Sequence, residues 1–247
     1  MGARTGGVAL ERRKPFYTEL FAYLATRPYG ATTDEVAAAF DLNAARVRTD
    51  VNKLRDWLGT DPDTGQKFLP AAREAPSAQQ RGIGVYEVVD ALVDIDLFRR
   101  LRLRGETRGP AGVEDLERAL QLVTGRPFEK LRPGGWGWLL EGDRLDQHMV
   151  CAIADVAHVV VTHNLQAGDP ERAHTAASIA VRAAPNEEVS RLDLAAVFAA
   201  QGHAHEADRI IREDVCNRDD AGEAPTELSV RTGKIIEALG WSQHAAI

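Results

Sequence analysis

Cysteine and methionine are scarce in this 247-residue chain, with two of each. The two cysteines, Cys151 and Cys216, are too few and too far apart for a disulfide framework, and both lie in helix-like contexts. We therefore expect small, buried thiols and a reducing, cytoplasmic compartment. The chain also lacks any run approaching the roughly 18 consecutive apolar residues of a membrane span, which predicts no membrane contact.

Motifs of common catalytic and cofactor sites are missing too. There is no phosphate-binding Gly-x-x-x-x-Gly-Lys-Ser/Thr and no Gly-x-Ser-x-Gly nucleophile elbow. The glycine-rich run 134–138 lacks a preceding strand, so its two Trp rings are expected to pack against neighbouring helices. His203 and His205 lie two residues apart, and a helix would point them to different sides. We predict no enzyme, with no catalytic residues, cofactor or metal.

The net charge of −7 is unevenly distributed along the chain. Residues 1–91 hold 12 basic and 12 acidic side chains, whereas the remainder holds 18 basic and 25 acidic ones. An acidic protein does not attract nucleic acid through its overall field. Contact with nucleic acid therefore requires a local basic face in the N-terminal third.

Three helical patterns occupy that N-terminal third. Apolar residues at helical spacing predict a first helix over 15–26, and a second helix opens at Thr33, which is predicted to be its N-cap. A third helix is predicted over 44–58, with Gly59 as its C-cap. Its apolar stripe comprises Val47, Val51, Leu54 and Leu58.

Two strand-like runs follow the third helix, Lys67–Pro70 and Val85–Val89. The segment between them is polar and contains Pro76, Gly82 and Gly84, which predicts a β-hairpin with a long tip. Three helices and then a hairpin is the element order of a winged helix-turn-helix domain, which we predict here.

The outward side of the third helix carries the residue types of a DNA-reading helix. Arg and Lys neutralise phosphates, Arg also pairs with guanine edges, and Asn pairs with adenine. We expect four residues to face the major groove: Arg46, Thr49, Asn52 and Lys53. Five more are phosphate candidates: Arg48, Arg55, Lys67, Arg73 and Arg81. The alternative is a solvated amphipathic surface, because Asp50 and Asp56 would weaken phosphate binding.

From Asp94 onward the pattern is helical to the end. The segments 168–173 and 202–207 are the same turn followed by a helix start, 34 residues apart. This spacing equals the tetratricopeptide period and predicts an all-α helical-repeat domain. We therefore divide the chain into a disordered lead-in at 1–11, a winged helix-turn-helix domain at 12–91 and a tetratricopeptide-like domain at 92–247, in a mainly α protein.

These motifs, taken in order, resemble a known pairing of domains. The segments that carry the resemblance are Phe21–Pro28, Thr33–Phe40, Val47–Arg55, Tyr86–Val88, Val93–Phe98 and Leu116–Phe128, with Trp136 or Trp138 after them. The chain resembles the antibiotic-regulatory-protein (SARP) type of actinobacterial regulators, in which an OmpR-like winged helix joins a bacterial transcriptional activator domain (BTAD). Related domains also end large multidomain actinobacterial proteins.

The resemblance implies a transcription regulator that binds double-stranded DNA. Its helical-repeat domain would contact the transcription machinery or another protein, through a concave groove suited to a peptide or helix. The alternative is a protein-interaction or scaffold module at the C-terminus of a larger protein, whose winged helix no longer binds DNA.

Overall fold

The computed structural model describes residues 13–130, 132, 134–142, 144–216, 228–238 and 240–241. The predicted lead-in at 1–11 lies outside these residues. Twelve numbered helices form in the described part: α1 (Lys14–Ala25), α2 (Thr33–Phe40), α3 (Ala44–Leu58), α4 (Pro76–Arg81), α5 (Asp94–Arg108), α6 (Val113–Gln121), α7 (Gly137–Glu141), α8 (Leu145–Gln166), α9 (Pro170–Ala183), α10 (Glu188–Ala200), α11 (Ala204–Arg209) and α12 (Val230–Ala238). A 3₁₀ turn at Gly109–Gly112 precedes α6, and a π-helical segment at Ile210–Cys216 continues α11.

The chain divides into two compact units. The first contains the chain up to Val93 together with Phe128–Leu145, and the second contains Asp94–Pro127 and the chain from Asp146.

The predicted β-hairpin is wrong, because no strand forms in the described ranges. The residues predicted to form the tip of the hairpin include helix α4 instead. The two strand-like runs make single bridges elsewhere, Thr60 with Lys67 and Ala31 with Tyr86. Between the runs themselves, Val89 N donates to the Phe68 carbonyl at 2.9 Å. A ladder needs alternating donors and acceptors along both runs, so the first unit is all-α and has no wing.

Side-chain caps fix where α2 and α3 begin. The hydroxyl of Thr32 accepts from Glu35 N at 3.2 Å, and the carboxylate of Glu35 accepts from Thr32 N at 2.6 Å. This capping box makes Thr32 the N-cap, so the prediction of Thr33 was wrong by one residue. Asn43 caps α3 by accepting from Arg46 N at 2.9 Å. Gly59 ends α3 at a φ of 77°, as predicted.

The core of the first unit lies between α1, α2 and α3. All four residues of the predicted α3 stripe are buried: Val47, Val51, Leu54 and Leu58. They pack with Tyr17, Leu20, Tyr23 and Leu24 of α1 and with Val36 of α2. Trp57 is also buried, at 3% exposure, although the predicted stripe omitted it. These contacts leave only one side of α3 facing solvent.

A buried carboxylate attaches the segment 128–145 to α1. Glu19 is 1% exposed and accepts from Arg132 Nε and, at 2.6 Å, from Trp136 N. Gly135 lies so close that a Cβ there would be 2.5 Å from a Glu19 oxygen. The ring of Trp136 packs on Ala22 and Leu139. The two Trp rings therefore pack against helices, as predicted for the glycine-rich run.

The second unit begins with a tight hairpin of α5 and α6. Gly105 and Gly112 meet at its crossing, where a Cβ on Gly112 would be 2.1 Å from the Gly105 carbonyl oxygen. Asp115, 3% exposed, accepts from Arg104 at 2.6 and 2.7 Å and from Arg108 at 3.3 Å. The absence of side chains at the crossing and this ion cluster together hold the two helices in close contact.

The two similar turns in the sequence have the same backbone geometry. Gly168 and Gly202 both have positive φ, 75° and 82°. The following residue donates to a carbonyl five residues back in each case, Asp169 to Asn164 and His203 to Phe198, both at 2.8 Å. This 6→1 bond is the helix-ending motif in which glycine is favoured. The repeat in the sequence is therefore a repeat of helix termination.

The longest helix, α8, is long and apolar enough to cross a membrane by length and composition alone. Several of its apolar residues, among them Ile153, Val156 and Val160, are buried within the protein, which is also typical of a core helix. Cys151 on this helix is exposed, so the expectation of a buried thiol there was wrong. The side chain of Cys216 lies outside the described part of the chain.

An ion pair between α8 and α10 predicts a pH dependence of stability. His158 Nδ1 lies 2.7 Å from Asp193 Oδ1, and this hydrogen bond raises the pKa of His158 above its ordinary value, although desolvation opposes the shift. Asp155 and Arg231 are the other charged groups that act on the ring. The stabilisation is therefore fully present at about pH 6.5, the ordinary His value, and below it as long as Asp193, whose own pKa is raised by burial, stays ionised. It is lost as the pH rises through the raised pKa of His158.

We expect the free energy of unfolding of the protein to fall between pH 6 and pH 8, and His158→Gln to flatten this dependence. Urea denaturation followed by far-ultraviolet circular dichroism at several pH values measures both. His148→Gln is the matched control, because His148 is exposed on the same helix. A variant at His158 that keeps the full pH dependence would contradict the assignment.

Candidate nucleic-acid interface

Helices α2 and α3 form a helix-turn-helix with a three-residue turn. Asp41 ends α2 with a φ of 51°, and Leu42 N donates to the Ala37 carbonyl at 2.9 Å. Asn43 then caps α3. The two helices pack on α1 through the core described above, so the direction of α3 is fixed by its neighbours.

One of the two carboxylates of α3, that of Asp50, is buried and does not contribute to the exposed surface of the helix. Asp50 is fully buried and accepts from Tyr17 Oη at 2.8 Å, from Arg13 at 3.0 Å and from Arg46 Nε at 2.7 Å. Because it is neutralised by two cations, it does not repel an approaching phosphate as the sequence alone suggested. Of the two acidic residues weighed against DNA binding, only Asp56 remains exposed.

The same partners set the ionisation of Asp50. Burial by itself would raise its pKa, but the hydrogen bonds from Tyr17 and Arg46 and the charge of Arg13 outweigh it, and the pKa lies below its ordinary value. Burial and the adjacent carboxylate raise the pKa of Tyr17 in turn. Asp50 is therefore ionised, and Tyr17 is neutral, at physiological pH.

The outward side of α3 is basic and exposed. Arg46, Arg48, Thr49, Asn52 and Lys53 all lie on it. Among the described residues, no hydrogen-bond or ion-pair partner exists for Arg48 or Lys53. Arg46 uses its Nε for Asp50 and is 45% exposed, so the rest of its guanidinium faces solvent. The Thr49 hydroxyl donates to the Ala45 carbonyl at 3.1 Å within the helix.

Arg55 has a structural role in addition to its place on α3. It is half-buried and donates to the carbonyls of Leu69 at 2.7 Å and Pro70 at 3.1 Å, and to Asn52 Oδ1 at 2.5 Å. These bonds hold the segment after α3 against the helix. They also occupy one of the two acceptor positions of the Asn52 amide oxygen, which leaves the other position and the NH₂ donors for other contacts.

The three phosphate candidates outside α3 are dispersed. Lys67 and Arg73 are exposed in the loops between α3 and α4. Arg81 ends α4 and pairs with Glu35 at 3.1 Å, and it donates to the Gly30 carbonyl at 3.2 Å. The structure therefore brings five of the nine predicted residues together on one face, whereas Arg55 and Arg81 bond to the protein itself.

Arg13 and Tyr17 belong to this site, and sequence reasoning missed both. They precede Asp50 by 37 and 33 positions, and nothing local links them to it. The Arg46–Asp50 spacing of four residues was the only available signal, since residues four apart on a helix are neighbours. It identifies a pair but not its burial.

Metal ligands do not gather near this surface or elsewhere in the described ranges: no group of three or more His, Cys, Asp or Glu side chains is placed to hold an ion. Comparison with known proteins adds no assignment, since no family model, curated protein or solved structure matches the chain.

We expect Asp50→Asn to destabilise the first unit by about 2 kcal/mol at pH 7, because it removes one partner of a buried ion network whose cations are partly solvated. A lowered pKa contributes stability that is present above the ordinary Asp value and is lost as the pH falls through the folded value. The difference between the two proteins should therefore shrink toward pH 3.

Urea denaturation followed by tryptophan fluorescence measures this difference, because Trp57, Trp136 and Trp138 all belong to the first unit. Asp56→Asn, on the exposed side of the same helix, should change stability by less than about 0.5 kcal/mol. Equal stability of the Asp50→Asn variant and the unaltered protein at pH 7 would show that the network does not hold α1 to α3.

Proposed function

We propose that this protein binds double-stranded DNA through the exposed side of α3 and regulates transcription. The observation that carries the proposal is the charge on that helix: its cations face solvent, while Asp50 is buried beneath them. A helix with this distribution attracts the phosphate backbone locally, although the protein as a whole is acidic. The assignment depends on the α2–turn–α3 arrangement and needs no wing.

The geometry suggests separate roles for the outward residues. Arg48 and Lys53 have unused donors and suit phosphate contacts, which supply most of the affinity and its salt dependence. Asn52 is exposed and suits a contact with a base or a phosphate, although Arg55 already occupies one of the two acceptor positions of its amide oxygen.

The second unit is proposed to contact another protein. The acidic excess of the chain lies after residue 91, and its helices are joined by similar turns. A basic segment of a partner suits such a surface, with the transcription machinery as the candidate. The acidic charge of this part of the chain and its resemblance to activator domains support such a partner.

A salt series on duplex DNA tests the proposal. We expect the logarithm of the affinity for a mixed-sequence duplex to fall linearly with the logarithm of the salt concentration. The triple variant Arg46→Ala, Arg48→Ala, Lys53→Ala should reduce the magnitude of that slope by up to about 3, since each phosphate contact contributes roughly 0.9. Fluorescence anisotropy of the labelled duplex gives the affinity at each salt concentration.

The control removes the same charge elsewhere. Arg100, Arg182 and Arg212 are exposed residues of the second unit, and changing all three to Ala should leave the slope unchanged. If both triple variants lose slope equally, the contact is diffuse and α3 is not its site. If no duplex binds even at low salt, DNA binding is rejected and the protein-interaction module remains.

A further inference from the structure

A cleft in the first unit has the features of a small-molecule site. It is an open cleft of about 640 Å³ between the end of α1, the loop after it, α2 and Arg81 of α4, and this volume is within the usual range for ligand pockets. Its apolar walls are Tyr23, Pro28, Tyr29 and Ala38. Tyr29 is 63% exposed, so its ring offers an apolar surface to a ligand at the edge of the cleft.

Arg27 places a guanidinium at the cleft that makes no ion pair among the described residues. Its guanidinium lies over the Tyr23 ring, 4.3 Å from Cζ to the ring centroid. Its Nε–H is buried and has no acceptor among the described residues, and no carboxylate in that part of the chain pairs with it. Its Nη groups also have no partner among the described residues, and because they are not buried, an acceptor from outside the protein can reach them.

The second arginine of the cleft is already satisfied. Arg81 donates to the carbonyls of Tyr29 and Gly30 and pairs with Glu35. The charges of Arg81 and Glu35 cancel, which leaves the single positive charge of Arg27. The cleft therefore suits a ligand with one negative charge rather than a phosphate dianion.

We propose that this cleft binds a small aromatic monocarboxylate. The carboxylate would accept from the two Nη groups of Arg27, a geometry in which guanidinium and carboxylate form two parallel hydrogen bonds. The aromatic part would lie against Tyr29 and Pro28. Because Glu35 and Ala38 belong to α2, a bound ligand would also contact the helix-turn-helix. An effect of the ligand on DNA binding rests on the proposed function.

Binding is tested on the whole protein without DNA, so that its failure is separate from a failure of DNA binding. The probe is 2-naphthoate, with 2-naphthamide as its uncharged analogue and inorganic phosphate as a competitor, measured by isothermal titration calorimetry. We expect saturable 1:1 binding of 2-naphthoate, at least tenfold weaker binding of the amide and no displacement by millimolar phosphate. Equal affinity for the amide, or displacement by phosphate, would overturn the proposal.

Variants locate the site. Arg27→Gln should weaken binding of 2-naphthoate at least tenfold, and Tyr29→Ala, which alters an exposed ring and is expected to leave the fold intact, should weaken it several-fold. Arg48→Gln removes the same charge from the α3 surface and should leave binding unchanged. Circular dichroism checks that each variant is folded. If Tyr29→Ala and Arg27→Gln both bind as tightly as the unaltered protein, the cleft is not the site.

Discussion

The burial of one charge, that of Asp50, determines what α3 presents to solvent. Taking a carboxylate out of water is unfavourable unless cations and hydrogen bonds replace its hydration, and Arg13, Tyr17 and Arg46 do so here. The first two come from the start of α1, so the network joins two helices that also share a hydrophobic core. The orientation of α3 is therefore fixed both by apolar packing and by a directional polar contact.

A second buried carboxylate, Glu19, has the same structural role elsewhere in the first unit. Glu19 accepts from Arg132 and from the backbone of Trp136, and it thereby attaches a segment that is distant in the sequence. Tyr23, one turn further along α1, contacts Trp138 of that segment and Phe40 of α2, with ring centroids 5.2 and 5.4 Å apart. One helix thus aligns the helix-turn-helix, the tryptophan segment and the cleft beside Arg27.

The failure of the hairpin prediction has two causes. Val85–Val89 is rich in β-branched residues, and such runs fit a strand when a partner is available. Tyr86 instead pairs with Ala31, far from it in the sequence, in a single bridge. Gly30, whose φ is 62°, permits this close approach because a Cβ there would lie 2.8 Å from the Tyr86 carbonyl oxygen. The residues between the two runs are polar enough for a loop, yet they form the short helix α4. Pro76 lies in its first turn and Gly82 ends it.

What the sequence determined by itself is the first three helices, α1 to α3, and the charge on the surface of α3. Apolar spacing of three and four residues defines which side of a helix is buried, and caps such as Asn43 and Gly59 act on their own neighbours, so both can be read locally. Only the tertiary structure decided that Asp50 is hidden, that Arg55 and Arg81 are committed to other groups, and that Glu19 anchors 128–145. Each of these depends on burial or on a partner distant in the chain. Packing brings such groups together, and no periodic pattern in the sequence indicates which groups will meet.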